Sequence, residues 1–147
     1  MRREFVFVGG NNEDFEDLER FPQGGDLVPG VRYLGRAGVR SVHGLRVAYL
    51  SGIYAPTRFD RPRLPATNAE NSKQAGYFRQ ADVDAVRAVT AADLLLLHEW
   101  PRGIAGRESA VARAGARGIR QRHWPQVGNP HAAAVVSALR QIGRAHV

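Results

Sequence analysis

Cysteine is absent from the 147 residues, which excludes disulfides, zinc ribbons and thiol nucleophiles together. Lysine is almost absent: Lys73 is the only one among 21 basic residues. No apolar run approaches the ~18 residues of a helical membrane span, since the longest strongly aliphatic stretch is Leu94 to Leu97. The basic start, Met1-Arg2-Arg3, is followed only by Phe5 to Val8 before Gly9, Gly10 and Asn11. A secretory leader needs roughly 7–15 apolar residues there, so this is not one. A cytoplasmic location follows by default, and no membrane partner is expected.

What is present amounts to one domain. The apolar share of 44% can supply a core and is too high for bulk disorder. The net charge of +7 raises the question of nucleic acid. The arginines are scattered, however, except around Arg113, Arg117, Arg120 and Arg122. With the alanine and glycine load, that scatter reads as coding bias and a solvated basic face. An Arg-rich nucleic-acid-binding module stands as one alternative.

Patterning predicts an α/β chain. Arg3 to Val8 alternates and is rich in Phe and Val, as a buried strand does, and Gly9-Gly10-Asn11-Asn12 ends it. Asp14 to Arg20 has helical spacing at Phe15 and Leu18, and Pro22 to Gly25 reads as a turn. Strands are expected at Val31–Leu34, Val39–Val42 and Leu45–Leu50, punctuated by Gly35, Gly38 and Gly44. Ser51 to Gly76, with Pro56, Pro62 and Pro65, reads as a long irregular loop. A helix over Ala81–Val89, a buried strand over Ala92–Leu97, a weak helix over Arg107–Arg122 and a short helix over His131–Leu139 complete the chain.

Two strand ends carry chemistry. Gly9-Gly10-Asn11-Asn12-Glu13 follows the first strand, and His98-Glu99-Trp100-Pro101-Arg102-Gly103 follows Leu97. Strand C-termini are where α/β sheets collect ligands. Asn offers a carbonyl oxygen and His an imidazole nitrogen to a divalent metal. Locally, each segment has a plainer reading, as a turn and as a core histidine.

Taken in order, the segments resemble a known family. Phe5 to Glu13 resembles the strand and Gly-Asn-His-Glu motif of calcineurin-like metallophosphoesterases. Gln23 to Gly35 is similar to the linker of the lariat-RNA debranching branch, and Gly44 to Tyr54 to that branch's strand and Ser-Gly-Ile turn. Leu97 to Ile104 resembles its Ser-His-Asp-Trp-Pro-Arg segment, and Val127-Gly128-Asn129-Pro130 its late Gly-Ser-Pro helix start.

The resemblance implies a partial metallophosphoesterase sandwich, two β-sheets flanked by helices, over residues 3–141. It implies a pair of divalent metals (Mn, Fe or Zn) that activate water against a phosphoester. Asn11 and His98 fall on metal-ligand positions, and both are expected at the C-terminal ends of two strands of one sheet. Asn12 falls where the family has its catalytic His. An amide can hydrogen-bond a phosphate oxygen but cannot act as a general acid near neutral pH. Glu13 and Glu99 are expected to support the loops, and Trp100-Pro101 to serve packing and a rigid turn.

The family's Asp-x-His, Gly-Asp and Gly-His-x-His ligand motifs have no counterpart here, so the chain is expected to be an internal fragment, inactive alone. Residues 142–147 resemble a translated sequencing adapter. The implied function is metal-dependent phosphoester hydrolysis, with nucleic acid or nucleotide among the substrates. A non-catalytic member binding phosphate or a partner is the other alternative.

Overall fold

The computed structural model describes residues 4–63, 72–102, 118 and 128–143, with Ser72 and the last four without side-chain detail. Its strands are β1 (Phe5–Phe7), β2 (Gly25–Val28), β3 (Val31–Tyr33), β4 (Ala37–Val42), β5 (Leu45–Leu50) and β6 (Leu94–Leu97). Its helices are α1 (Phe15–Leu18), α2 (Pro56–Phe59), α3 (Ser72–Ala75), α4 (Gln80–Arg87) and α5 (Pro130–Gly143). Two three-stranded sheets form, ordered β1-β3-β2 and β4-β5-β6.

The period-2 pattern of each strand builds the layers. Val47 and Tyr49 of β5 join Leu34, with Val6, Val8, Val42 and Leu96 packed against them, so this cluster lies between the two sheets. Ala48 and Leu50 point the other way, onto Phe59, Phe78, Val83, Val86 and Val135. Those residues bring α2, α4 and α5 onto the outer face of the β4-β5-β6 sheet. On the outer face of the other sheet, Tyr33 packs with Phe15, Leu18 and Ala75, bringing in α1 and α3. The result is helices, sheet, sheet, helices. Each fully buried Val, Leu or Phe in these clusters contributes about 1.5–3 kcal/mol, and that burial holds the sandwich together.

Local chemistry sets the joints. His43 (φ 49°) and Gly44 (φ 85°) turn β4 into β5, with Val42 opposite Leu45, as a two-residue hairpin with both central residues left-handed. Asp14 caps α1, its carboxylate accepting from the Glu16 and Asp17 amides. Buried Arg36 pairs with Glu19, donates to the Ala75 carbonyl at 2.5 Å and lies 5.0 Å from the Phe15 ring centroid. One guanidinium therefore ties α1 and α3 to the link between the sheets.

Several expectations differ from this structure. A strand that was not expected, Gly25–Val28, begins at the last residue of the turn read over Pro22 to Gly25. β2 is largely exposed and lacks the alternation that marks a strand. Its pairing with β3, reinforced by Arg32 Nε to Asp26 at 2.6 Å, creates it. The stretch from Ser51 to Gly76 is not all irregular: Pro56 starts α2, Phe59 buries, Ile53 bridges to Tyr77, and α3 follows. β6 begins at Leu94, which is 46% exposed, because among the described residues β6 pairs only with β5. The last helix starts at Pro130 and runs through Ile142 to Gly143. Residues 144–147, the rest of the adapter-like tail, lie outside the described residues, as does Arg107–Arg122 apart from Gly118. No helix among the described residues is long and apolar enough to cross a membrane.

Candidate functional site

Three strand ends meet at one end of the sandwich. β5 and β6 run parallel, with Leu50 opposite Leu97, so Ser51 and His98 emerge on the same side. β1 belongs to the other sheet, yet its end is tied to the end of β5. The Gly52 amide donates to the Gly9 carbonyl at 2.7 Å, and the Gly9 amide to Ser51 Oγ at 3.1 Å. Ser51 Oγ donates onward to the Gly35 carbonyl at 2.6 Å, so this buried hydroxyl both accepts and donates. Asn11 and His98 therefore follow strands of two different sheets, contrary to the one-sheet expectation. The hydrogen bonds across the sandwich, and not a shared ladder, bring their loops together.

His98 and the turn after β1 are in contact. A β-carbon built on Gly10 would fall 2.5 Å from His98 Nδ1 and 2.6 Å from Cε1. Only a residue without a side chain lets the imidazole lie there. Asn11, Asn12 and His98 are all exposed to solvent. Glu13 holds the turn from beneath: its Oε2 accepts from the Gly10 amide at 2.6 Å and the Asn12 amide at 3.2 Å. Ionic acceptors strengthen such bonds, so the turn is fixed by a charge beside it.

Glu99 does the equivalent work on the other side. Its Oε2 accepts from the Tyr54 amide at 3.0 Å and from the Asn129 side-chain amide. Buried Asn129 then caps α5, with Oδ1 accepting from His131 and Ala132 amides at 2.8 and 3.1 Å. Its backbone is also held, donating to the Trp100 carbonyl at 2.7 Å and accepting from the Arg102 amide at 3.0 Å. Pro130 sits at the first helical position, where its missing N–H is no loss. Sequence inspection flagged Asn129 only as part of a helix start. Its role as the junction of three elements needed the tertiary pairing.

A cleft opens here, lined by Tyr54, His98, Glu99, Trp100, Arg102, Gly128, Asn129 and Pro130. Pro101 is buried and bridges to Asn129, as a rigid turn should, whereas Trp100 stays 44% exposed. Beside the cleft, the His131 ring stacks on Phe59 with centroids 3.9 Å apart, and on Tyr54 at 4.8 Å. Burial holds the His131 imidazole below its ordinary pKa, partly opposed by Asp60.

The donor atoms fit a metal only in part. Among the described residues no three His, Asp or Glu side chains gather to hold one. Asn11 and His98 would supply two ligands, where a divalent metal takes roughly four to six.

No family model matches the chain. Similarity to individual proteins is clear. The chain is 37% identical over 102 residues to the lariat debranching enzyme of Schizosaccharomyces pombe, a match covering 67% of this chain and 22% of that protein. The lariat debranching enzymes of Danio rerio and Homo sapiens match at 35% and 31% identity, again over 67% of this chain, with 18% and 19% of their own lengths covered. The chain thus spans about a fifth of the length of the curated relatives it matches. With the two flanked sheets and ordered motifs already described, the identity makes this chain a homologue of part of the lariat debranching enzymes, which are calcineurin-like metallophosphoesterases.

Proposed function

We propose that this chain is part of a metal-dependent phosphoester hydrolase whose substrates are nucleic acids, 2′–5′ linked RNA among them. The observation that carries the reading is the meeting of the turn holding Asn11 and Asn12 with His98 at one end of the sandwich. Bound metals would supply Lewis acidity and an activated water. Asn11 and His98 would be two of their ligands, and the rest would have to come from outside the described residues. The protein's own part is positional. Glu13 fixes the turn that carries Asn11 and Asn12, and Glu99 with Asn129 fixes the segment that carries His98.

Asn12 shapes the chemistry further. Its amide can donate to a phosphate oxygen, but a leaving alkoxide would have to find its proton elsewhere. Loss of such an acid typically costs ~10²–10⁴ in rate. Unactivated diesters should be hydrolysed slowly, and aryl esters should suffer least. The same substitution favours a second reading, a non-catalytic member that keeps the fold to bind phosphate. The Arg113 to Arg122 cluster behind the nucleic-acid-module reading lies outside the described residues.

Kinetics on the full-length protein separate these readings. Turnover of a diester should stop with chelator and return with manganese, and Asn12→His should raise the rate on RNA far more than on an aryl diester. Equal gains on both substrates reject the missing-acid argument, and chelator-insensitive turnover rejects the metal site. No turnover by either protein, with phosphate still bound, selects the non-catalytic reading.

A further inference from the structure

We infer that the cleft beside His98 contains a nucleobase-stacking subsite, with the Trp100 indole as platform and the Arg102 guanidinium as its cationic flank. It would take an unpaired base of a single-stranded nucleic acid. The inference rests on the phosphoesterase reading for what the neighbouring groups handle, namely the phosphate.

Four observations carry it. Trp100 is 44% exposed, although the Pro beside it is buried. The other large apolar side chains exposed to this degree, such as Phe5, Val28, Leu45 and Leu94, belong to strands, whereas Trp100 lines a cleft. Arg102, also exposed, lines the same cleft, so a cationic and an aromatic residue border one space. Finally, the backbone of both residues is locked. Asn129 donates to the Trp100 carbonyl at 2.7 Å, accepts from the Arg102 amide at 3.0 Å and bridges Pro101 between them.

Physical chemistry turns these into a ligand class. Every base has a π-face, so an exposed indole accepts bases with little regard to sequence, and a nearby arginine adds cation–π and phosphate attraction. A platform held by a backbone ladder loses little freedom on binding, which favours affinity. Only Glu99 separates His98 from Trp100, and two positions along the chain reach at most ~7 Å even when fully extended. That is comparable to the reach from a nucleotide's phosphate to its own base. A phosphate at the His98 end would thus leave its base, or the next one, over Trp100. Unstacked bases splayed onto aromatic side chains are the usual mode of single-stranded RNA recognition.

The test uses the 147-residue chain with Trp124→Phe, so that Trp100 is the only indole reporter. It is titrated with a short single-stranded adenine oligonucleotide and with the same oligonucleotide made abasic. The base-bearing strand should quench Trp100 fluorescence and bind about tenfold or more tightly than the abasic one. Trp100→Ala, read by anisotropy of a labelled strand, should remove that preference, and Trp100→Phe should keep part of it. Arg102→Ala should weaken both strands and lower the salt dependence. Equal affinity for both strands, an unchanged preference in Trp100→Ala, or no binding of either strand overturns the subsite. Chelator-sensitive hydrolysis of bis(p-nitrophenyl) phosphate by the full-length protein would then still stand for the phosphoesterase reading, since that substrate has no base. Chelator-insensitive hydrolysis would reject that reading alone.

Discussion

The His98 ring lies against the α-carbon of Gly10, close enough that a β-carbon there would come within 2.5 Å of Nδ1. The two strand ends of the candidate site are thus in contact through the smallest residue available. Gly10→Ala should push the imidazole outward. Because His98 is already exposed, the fold has room to yield, and the expected cost is about 1 kcal/mol, a few degrees in Tm. The His98 ring resonances should move by far more than those of His43, on a distant turn. Unchanged His98 resonances in the variant would show that the contact does not position the ring.

Asn129 supports two partners with one side chain, and the two functions can be separated. Asn129→Ala loses both the α5 cap and the donor to Glu99, for about 2–3 kcal/mol in total. Asn129→Asp keeps a capping oxygen but sets a second carboxylate against Glu99. Its deficit should shrink as the pH falls into the carboxylate range, while that of Asn129→Ala should not. Urea midpoints measured at neutral and acid pH decide this, and parallel pH profiles for the two variants would reject the pairing.

Acid should weaken the helical layer through His131. Packing against Phe59 and Tyr54 favours the neutral imidazole, so the folded pKa lies below the ordinary value of 6.5. The unfolded chain then takes up the proton first. This contribution to stability is complete above the unfolded value and is lost as the pH falls through the folded one. Tm should drop as the pH falls through and below the ordinary value of 6.5, and His131→Phe should flatten that slope. An equally steep slope in the variant would assign the effect to other groups.

Alkali acts in a different packed layer, on Tyr33. Burial pushes its phenol up to about 12, with the Ser51 hydroxyl acting in the other direction. A raised folded pKa means stability that is complete below the ordinary value of 10 and is lost as the pH rises past it. In a spectrophotometric titration of the four tyrosines, one should ionise late, and Tyr33→Phe should remove that late step. A late step that survives the substitution would assign it to another ring.

The strands that could be read from sequence were those with a face to bury. β5 was bounded correctly because Val47 and Tyr49 face one layer while Ala48 and Leu50 face another. β2 is not legible because an exposed edge strand carries no alternation, and its existence depends on a partner that begins directly after the Pro29-Gly30 turn. At the site, residue types and order pointed to the two loops, and the support expected of Glu13 and Glu99 has a visible basis in their hydrogen bonds. Which sheet carried each loop was not legible, since strand order depends on pairings that span the chain. The partial exposure of Trp100 was not legible for a related reason: exposure is decided by neighbours that local pattern does not name.

The parallel pairing of β5 with β6 also sets an order of events. β4 and β5 are neighbours in sequence and close through a two-residue turn, so their ladder forms at small entropic cost. β6 must wait for α2, α3 and α4 to be laid down between, and pairings of high sequence separation come late. Ser51 is therefore in place early, and His98 arrives with β6. In pulse-labelled hydrogen exchange, the β6 amides should gain protection after those of β4. Simultaneous protection would mean that the chain closes in one step. If the order holds, the half of the site carried by His98 does not exist until folding is nearly over, and a chain stalled on the way presents no such centre to ligands.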